Sequence, residues 1–155
     1  MFATNTQVLV TQLGQAFPRL SESLSPADVQ KLGRMGDRVL LLENEDLVPA
    51  GGRLPGLILI LRGRLVPRAA PDVPEEHRWV LGPGEAIGIE ALVGRQPRHD
   101  SLRALEFSEL RVFDAKVWGH LLERTPHIAV GFLHALAREL AEEVDALAAS
   151  LERLP

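Results

Sequence analysis

The chain has 155 residues, of which 46% are hydrophobic and 25% are charged, and its formal net charge is −4. This length is that of one domain, and the composition is typical of a globular protein with a core rather than of a disordered chain. The sequence contains no cysteine, which excludes disulfides, thiolate metal sites and cysteine nucleophiles. The negative charge argues against nucleic acid as the main partner.

The N-terminal part of the sequence predicts helices. No apolar run reaches membrane-spanning length, and the first segment, MFATNTQ, lacks the basic region of a secretory signal, so we expect a cytoplasmic protein. Apolar residues at helical spacing from Asn5 to Phe17 predict a first helix. Ser25 and Pro26 predict the start of another, because serine caps a helix and proline suits its first position. Residues 1–36 are therefore predicted to be helical.

The middle of the chain predicts many short strands. Short apolar runs separated by glycine, proline, asparagine or aspartate occur at 39–42, 47–48, 57–65, 78–81, 86–89, 102–105 and 110–113. This spacing is typical of a sandwich or jelly roll over residues 37–113. Leu57 to Leu61 is apolar at every position, as expected for a strand buried on both faces.

The C-terminal part, 114–155, predicts two helices, with Asp114 and Thr125 as their caps. In the second, 126–154, apolar residues recur in steps of three and four, which is a heptad pattern, at Val130, Leu133, Ala137, Leu140, Val144, Leu147, Leu151 and Leu154. We call these eight residues the seam. Polar residues flank it beyond Leu140, so we expect a parallel two-stranded coiled coil that makes a homodimer. The alternative, that the stripe packs on its own roll, stays open and suits Phe132 and Leu136.

One segment, Gly84 to Ala104, has the features of a phosphate-binding cassette: GEAIGIEALVGRQPRHDSLRA. A glycine lets the backbone approach a ligand closely, and an arginine further on supplies a fork of donors and the charge that a phosphate diester requires. Here Gly88 and Arg98 are placed for these roles. The alternative is that Pro97 and Arg98 form a surface loop with a solvated arginine.

The cassette resembles the signature of cyclic-nucleotide-binding domains, which runs roughly G-E-x-F-G-E-L-A-L and then P-R-A-A-T-V-x-A. The matching residues are Gly84, Glu85, Gly88, Ala91, Leu92, Pro97, Arg98, Ser101 and Ala104. Gly51, followed by LILILRGRL with Gly63, resembles a second landmark of that family. The resemblance covers about residues 17–153, and the chain resembles the sensory domain of bacterial catabolite-activator-type regulators.

The resemblance implies a single domain, 1–155, that is mainly β with flanking helices. Its expected architecture is an eight-stranded β-roll, also called a double-stranded β-helix or jelly roll, with N-terminal helices and a long C-terminal helix. Gly63 and Gly88 are expected at turns or close approaches. The ligand positions that the resemblance implies are Gly88, Ile89, Glu90, Ala91, Arg98 and His99.

Several ligand positions depart from the family pattern. Ile89 replaces the glutamate that accepts the ribose 2′-hydroxyl, and His99 replaces a small residue. The adenine-reading positions of the long helix fall at Glu143 and Val144, neither of which is the family's threonine or serine. Each missing partner costs about 1–3 kcal/mol, so we expect a pocket that is degenerate for cyclic AMP. The alternative is a second-messenger receptor that binds a cyclic mononucleotide or dinucleotide through Arg98.

Glu90 leaves the pocket prediction open. Strand alternation places it opposite Ile89, whereas a slip of one residue brings its carboxylate inward. We expect Arg98 to point into the roll and to pair with Glu90 or Asp100.

Catalysis and metal binding are not predicted. His120, His127 and His134 recur at a regular interval, but Pro126 divides them between two helices. His99, Asp100 and Ser101 are adjacent on a predicted strand, so they cannot form a triad. We therefore expect a non-catalytic regulatory module that acts on another signalling protein, with no certain cofactor beyond the cyclic nucleotide left open above. The sequence continues into no DNA-binding segment, so direct DNA binding is not expected.

Overall fold

The structure, a computed structural model, describes residues 13–49, 51–68, 79–97 and 101–154. Residues 13–16 are helical, and two further helices follow, α1 at Leu20–Ser23 and α2 at Pro26–Met35. The predicted cap of α2 is confirmed, since the Ser25 hydroxyl accepts a hydrogen bond from the Asp28 N–H at 3.1 Å. Pro26 occupies the first turn, where no amide hydrogen is needed.

Six strands form two antiparallel sheets in the described residues: β1 Asp37–Leu41, β2 Gly56–Arg62, β3 Leu65–Pro67, β4 Ala86–Ile87, β5 Leu102–Ala104 and β6 Ser108–Asp114. The larger sheet has the order β1-β6-β2-β4, and the smaller one pairs β3 with β5. The antiparallel sheets and the flanking helices of the predicted class are confirmed, but more of the described residues lie in helices than in strands. The count of eight strands stays a prediction.

The large sheet separates two hydrophobic cores. Side chains alternate along β2, so Leu57 and Leu59 face a cluster formed with the helices, whereas Ile58 and Ile60 face a second cluster between the two sheets. Both faces are therefore covered, and Gly56 to Leu61 is buried throughout, as the unbroken apolar run predicted. Strand β2 therefore contributes side chains to both hydrophobic cores.

Two helices complete the chain, α3 at Ala115–Arg124 and α4 at Pro126–Glu152. The predicted cap of α3 is confirmed, because the Asp114 carboxylate accepts from the Val117 N–H at 2.8 Å. Thr125 precedes α4 but does not cap it with its side chain. Its hydroxyl instead donates to the Leu121 carbonyl of α3 at 3.4 Å, so this prediction was wrong in its contact.

Three strand predictions also differ from the structure. Of the run 78–81, the described residues 79–81 form no strand, and Leu81 makes only an isolated bridge to Leu65. The run 86–89 is a strand only to Ile87, because Gly88 has left-handed backbone and a 3₁₀ helix follows at Ile89–Val93. Leu47 and Val48 lie in a bend, where Asp46 makes a single bridge to Arg103. Among the described residues, no helix has the length and apolar character required to cross a bilayer.

Candidate functional site

The candidate site begins where the cassette joins the edge of the large sheet. Gly84, with a φ of 87°, donates its N–H to the Ile60 carbonyl at 3.0 Å, and the Ile60 N–H donates to the Glu85 carbonyl at 3.0 Å. Strand β4 then pairs with β2, with Ile87 opposite Ile58. These bonds attach the first half of the cassette to the most buried strand of the protein.

Gly88 brings the cassette into close contact with β2. Its φ is 85°, a left-handed conformation that glycine adopts without strain. A Cβ at this position would collide with the carbonyl oxygen of Gly56 and would lie 3.7 Å from the Cα of Leu57. The expectation that Gly88 stands at a close approach is confirmed. Gly63, with a φ of 98°, is confirmed likewise, because a Cβ there would lie 2.7 Å from the Phe107 carbonyl oxygen.

The residues after Gly88 form a 3₁₀ helix, so strand alternation does not decide where their side chains point. Ile89 and Leu92 stand three residues apart, which places them on one face of such a helix, and both pack against the helical core. Ile89 therefore faces the flanking helices. Ala91 is half-buried, and its N–H donates to the Gly88 carbonyl at 3.0 Å.

Glu90 is a half-buried side chain of the 3₁₀ helix, and one of its carboxylate oxygens is hidden from solvent. Its Oε2 atom is inaccessible to solvent and has no hydrogen-bond partner among the described residues. Its carbonyl accepts from the Arg95 N–H at 2.9 Å, which fixes the backbone next to the carboxylate. A buried acceptor without a donor costs about 1–3 kcal/mol, so this oxygen is suited to a donor supplied from elsewhere.

The second half of the predicted ligand set lies outside the described residues. Arg98 and His99 belong to 98–100, so the pairing of Arg98 with Glu90 or Asp100 stays a prediction. Ser101, which matches the family motif, is fully buried, and its hydroxyl accepts from the Val48 N–H at 2.9 Å. Its role in the described structure is to hold the loop before β2.

The cassette faces the long helix α4 across a small cavity. The cavity measures about 30 Å³, and its lining is made up of Phe17, Gly84, Ala86, Ile89, Leu136, Glu139, Leu140 and Glu143. Burial raises the pKa of Glu85, and the negative charge of Glu143 raises it further. The sequence did not predict this contact, because its members come from three distant segments.

The sequence also missed a charged clamp beside the roll. Arg68 and Arg103 both donate to the Asp46 carboxylate, at 2.7 Å to Oδ2 and 2.9 Å to Oδ1 respectively. The hydrogen bond from Arg103 is the main reason that the pKa of Asp46 is lowered. In the sequence these residues are ordinary loop and strand charges, and no motif marks them.

The seam of α4 is exposed along its whole length. Phe132 and Leu136, which lie beside the seam, are buried against the domain, as the alternative interpretation expected for them. Val130 and Leu133 are 66% and 37% exposed, and the seam residues after Leu140, namely Val144, Leu147, Leu151 and Leu154, are 62–67% exposed. The domain itself therefore leaves the seam uncovered.

Metal ligands are not assembled in the part of the chain that is described: no group of three or more histidine or acidic side chains converges there. His127 Nε2 lies 3.3 Å from the Asp28 carboxylate, and His134 Nδ1 lies 3.1 Å from the Ser23 hydroxyl. These two histidines thus have separate partners.

No protein-family model matches the chain, and no curated protein does so either. Among solved structures, the chain is similar to the N-terminal domain of a transcriptional regulator from Streptomyces coelicolor A3(2), with 27% identity, a TM-score of 0.62, and coverage of 83% of this chain and 90% of that one. A cyclic nucleotide-binding domain from Methylobacillus flagellatus KT is 19% identical, with a TM-score of 0.69 and coverage of 94% and 86%.

The catabolite activator protein of Thermus thermophilus is 27% identical to this chain, with a TM-score of 0.61. The match covers 84% of this chain and 63% of that protein, so the chain spans less than two thirds of it. The chain therefore has the fold of a cyclic-nucleotide-binding domain and resembles the N-terminal domains of bacterial transcriptional regulators. The resemblance predicted from the cassette is confirmed.

Proposed function

We propose that this chain is a non-catalytic sensory or regulatory module in which the cassette is the sensing element and helix α4 is the output. The observation that carries the proposal is the cavity that the two share. Ile89 of the cassette and Leu140 of α4 both line this cavity of about 30 Å³. A rearrangement of the cassette changes the packing at Leu140, which belongs to the exposed seam.

The output surface is the seam, and its occupant is a second copy of the chain. Large apolar side chains in a continuous stripe are costly to leave in water, and pairing two such helices buries them. Valine or alanine at one heptad position and leucine at the other favours a parallel pair. The proposed homodimer passes its signal to another signalling protein.

The pocket is proposed to be degenerate for cyclic AMP. Position 89, which carries the ribose-binding glutamate in the family motif, holds an isoleucine that packs against the flanking helices. The long helix offers Glu143 and Val144 where the family has adenine-reading hydroxyls. Both departures remove hydrogen bonds, each of about 1–3 kcal/mol when the ligand group is left unpaired.

A second candidate function, a true second-messenger receptor, is favoured by Glu90. Its buried Oε2 lacks a donor among the described residues, and a ligand hydroxyl would supply one. In this version Arg98 binds the phosphate of a cyclic mononucleotide or dinucleotide, and Glu90 replaces the carboxylate lost at Ile89. A similar structure is named as a cyclic nucleotide-binding domain, which makes such a ligand a reasonable probe.

Calorimetry with cyclic AMP, cyclic GMP and cyclic di-GMP tests the two candidates. The degenerate pocket predicts no heat at millimolar ligand and no change in melting temperature, whereas a ligand at a hundred times its dissociation constant would stabilise the fold by about 2.7 kcal/mol. Micromolar binding that disappears in Arg98→Ala and weakens in Glu90→Gln, but persists in Arg95→Ala, would establish the receptor instead. Arg95 is the matched control because it is exposed in the same segment.

The cellular setting is proposed on the sequence alone. We propose a cytoplasmic location, no membrane contact and no direct DNA binding, as the composition and charge led us to expect.

A further inference from the structure

An apolar patch lies on the outer face of strand β1, away from the cassette and the seam. Leu40 and Leu42 are 47% and 62% exposed, and Phe107 is 45% exposed. In the antiparallel register Leu41 stands opposite Ser108, so the next residues outward, Leu42 and Phe107, come side by side. We call Arg38, Leu40, Leu42 and Phe107 the β1 patch.

The patch has a positive end. Arg38 Nε donates to Glu109 Oε1 at 2.9 Å, and Glu109 is only 1% exposed. Arg111, directly opposite Arg38 in the register, is 3% exposed, and its Nη2 has no partner among the described residues. Two guanidinium groups thus lie near one carboxylate, and among the described residues only Arg38 is paired with it, which leaves a net charge of +1 at this end of the patch. Burial lowers the pKa of Arg111, as does the adjacent charge of Arg38, while Glu109 raises it.

Nearby carboxylates do not cancel that charge on the patch face. Asp37 alternates with Arg38 along the strand and so points to the other face of the sheet. Glu43 follows Leu42 and stands at the far end of the patch. The guanidinium of Arg38 is about half exposed, and among the described residues only its Nε is bonded. Its remaining N–H groups are available to an incoming carboxylate.

The backbone of β1 is available as well. In the described sheet β1 is the edge strand and pairs on one side only, with β6. An edge strand exposes unpaired N–H and C=O groups that an extended segment can bind, while alternate side chains of that segment contact the flanking surface. The outer face of β1 presents Arg38, then Leu40, then Leu42 at this alternate spacing.

We propose that β1 docks an extended segment of another protein by strand addition, with a carboxylate next to Arg38 and apolar side chains next to Leu40 and Leu42. A second copy of β1 does not fit, because its patch face carries arginine and leucine and no carboxylate. The inference rests on the proposed regulatory function in assuming a protein partner, and it names the surface and the chemistry of that partner.

A designed peptide tests the surface directly. The probe is a labelled synthetic peptide with aspartate, valine and isoleucine at alternate positions and threonine between them. The control peptide has the same composition in an order that divides these residues between both faces. Fluorescence anisotropy should detect binding of the first peptide, weaker by at least about tenfold, or 1.4 kcal/mol, for the second. Amide signals of β1 should shift on binding, and added salt should weaken the complex.

Variants locate the binding surface. Leu42→Asp introduces a charge at an exposed position, so the protein should fold normally and lose peptide binding by at least about tenfold. Arg38→Gln should also weaken binding, and circular dichroism checks that leaving Glu109 without its partner has not unfolded the chain. Arg124→Glu, an exposed arginine at the end of α3, is the control that should bind normally.

Three outcomes would overturn the proposal: no binding at millimolar peptide, equal binding of both peptides, or binding that Leu42→Asp leaves unchanged. The regulatory function is tested separately, by calorimetry at the cassette and by dimer formation. If those tests succeed but the peptide does not bind, the docking proposal for the β1 patch is wrong, whereas the proposed regulatory function is still supported.

Discussion

At the scale of single residues, Gly88 excludes a side chain in two ways. A left-handed conformation costs a non-glycine residue about 1–2 kcal/mol, and a Cβ at Gly88 would also collide with the Gly56 carbonyl of β2. We expect Gly88→Ala to lower the free energy of unfolding by at least about 2 kcal/mol in a urea titration. Gly94→Ala is the control, because Gly94 has a φ of 74° with nothing within 4 Å. If both variants lost the same free energy of unfolding, the close approach of Gly88 to Gly56 would add nothing to the cost of the left-handed conformation.

The Asp46 clamp gives a second residue-scale prediction, with a pH dependence. Because its pKa is lowered in the folded state, chiefly by Arg103, the clamp stabilises the protein above the unfolded pKa and loses this effect as the pH falls through the folded one. Asp46→Asn should therefore cost about 1–3 kcal/mol at neutral pH and less in acid, measured by unfolding at several pH values. Glu45→Gln, next to it and exposed, should change stability by less than about 0.5 kcal/mol. A loss that does not depend on pH would contradict the ionic role.

At the scale of elements, local sequence predicted the starts of helices where the cap is a short-range contact. Ser25 and Asp114 each bond an N–H three residues ahead, so a few neighbouring letters determine the result. Thr125 stands between two helices, and its hydroxyl binds backwards to Leu121 instead. Which carbonyl or amide the Thr125 hydroxyl bonds depends on the angle between α3 and α4. The residues next to Thr125 do not determine that angle.

The candidate site shows the same division between local and distant information. The glycines and the cassette could be found from spacing, because a close approach needs glycine wherever it occurs. The run 86–89 predicted a strand, but the strand ends at Ile87, because Gly88 has left-handed backbone and the chain continues as a 3₁₀ helix. The cavity that Ile89 shares with α4 joins distant segments and so could not be predicted from spacing.

Helix α4 gives the prediction at this scale. If the seam pairs two copies of the chain, Leu147→Glu should convert the dimer to monomers, because a buried charge without a partner costs several kcal/mol. Ala149→Glu adds the same charge on the opposite face of the helix and should leave the dimer intact. Sedimentation velocity distinguishes the two. An unchanged dimer in Leu147→Glu, or a wild-type monomer at high concentration, would contradict the pairing.

At the scale of the whole molecule, cassette, N-terminal helices and α4 meet at one point, where two carboxylates lie close together. Glu85 comes from the turn before β4, and Glu143 comes from α4, next to the exposed seam residue Val144. The negative charges of Glu85 and Glu143 repel each other, so there is an unfavourable interaction between the proposed sensing element and the proposed output helix. Arg19 partly offsets the negative charge of that stretch of α4, because it pairs with Glu139 at 3.4 Å and also with Glu142.

The pH dependence of stability measures that interaction. Burial and Glu143 raise the pKa of Glu85, so the folded state holds the proton more tightly than the unfolded state. The resulting stabilisation is complete below the unfolded pKa, about 4.3, and is lost as the pH rises through the folded pKa. Glu85→Gln, which is neutral at every pH, should therefore be more stable than the wild type at neutral pH and should flatten this part of the stability profile.

Comparing two variants separates the causes. Burial is the larger cause of the raised pKa, so Glu143→Gln should recover only part of the gain in stability seen in Glu85→Gln. Glu43→Gln, exposed in the turn after β1, should leave the profile as it is in the wild type. Urea unfolding between pH 4 and pH 8 provides the measurement. If Glu143→Gln had no effect while Glu85→Gln stabilised the protein, burial alone would account for the raised pKa of Glu85. The electrostatic link to α4 would then be refuted.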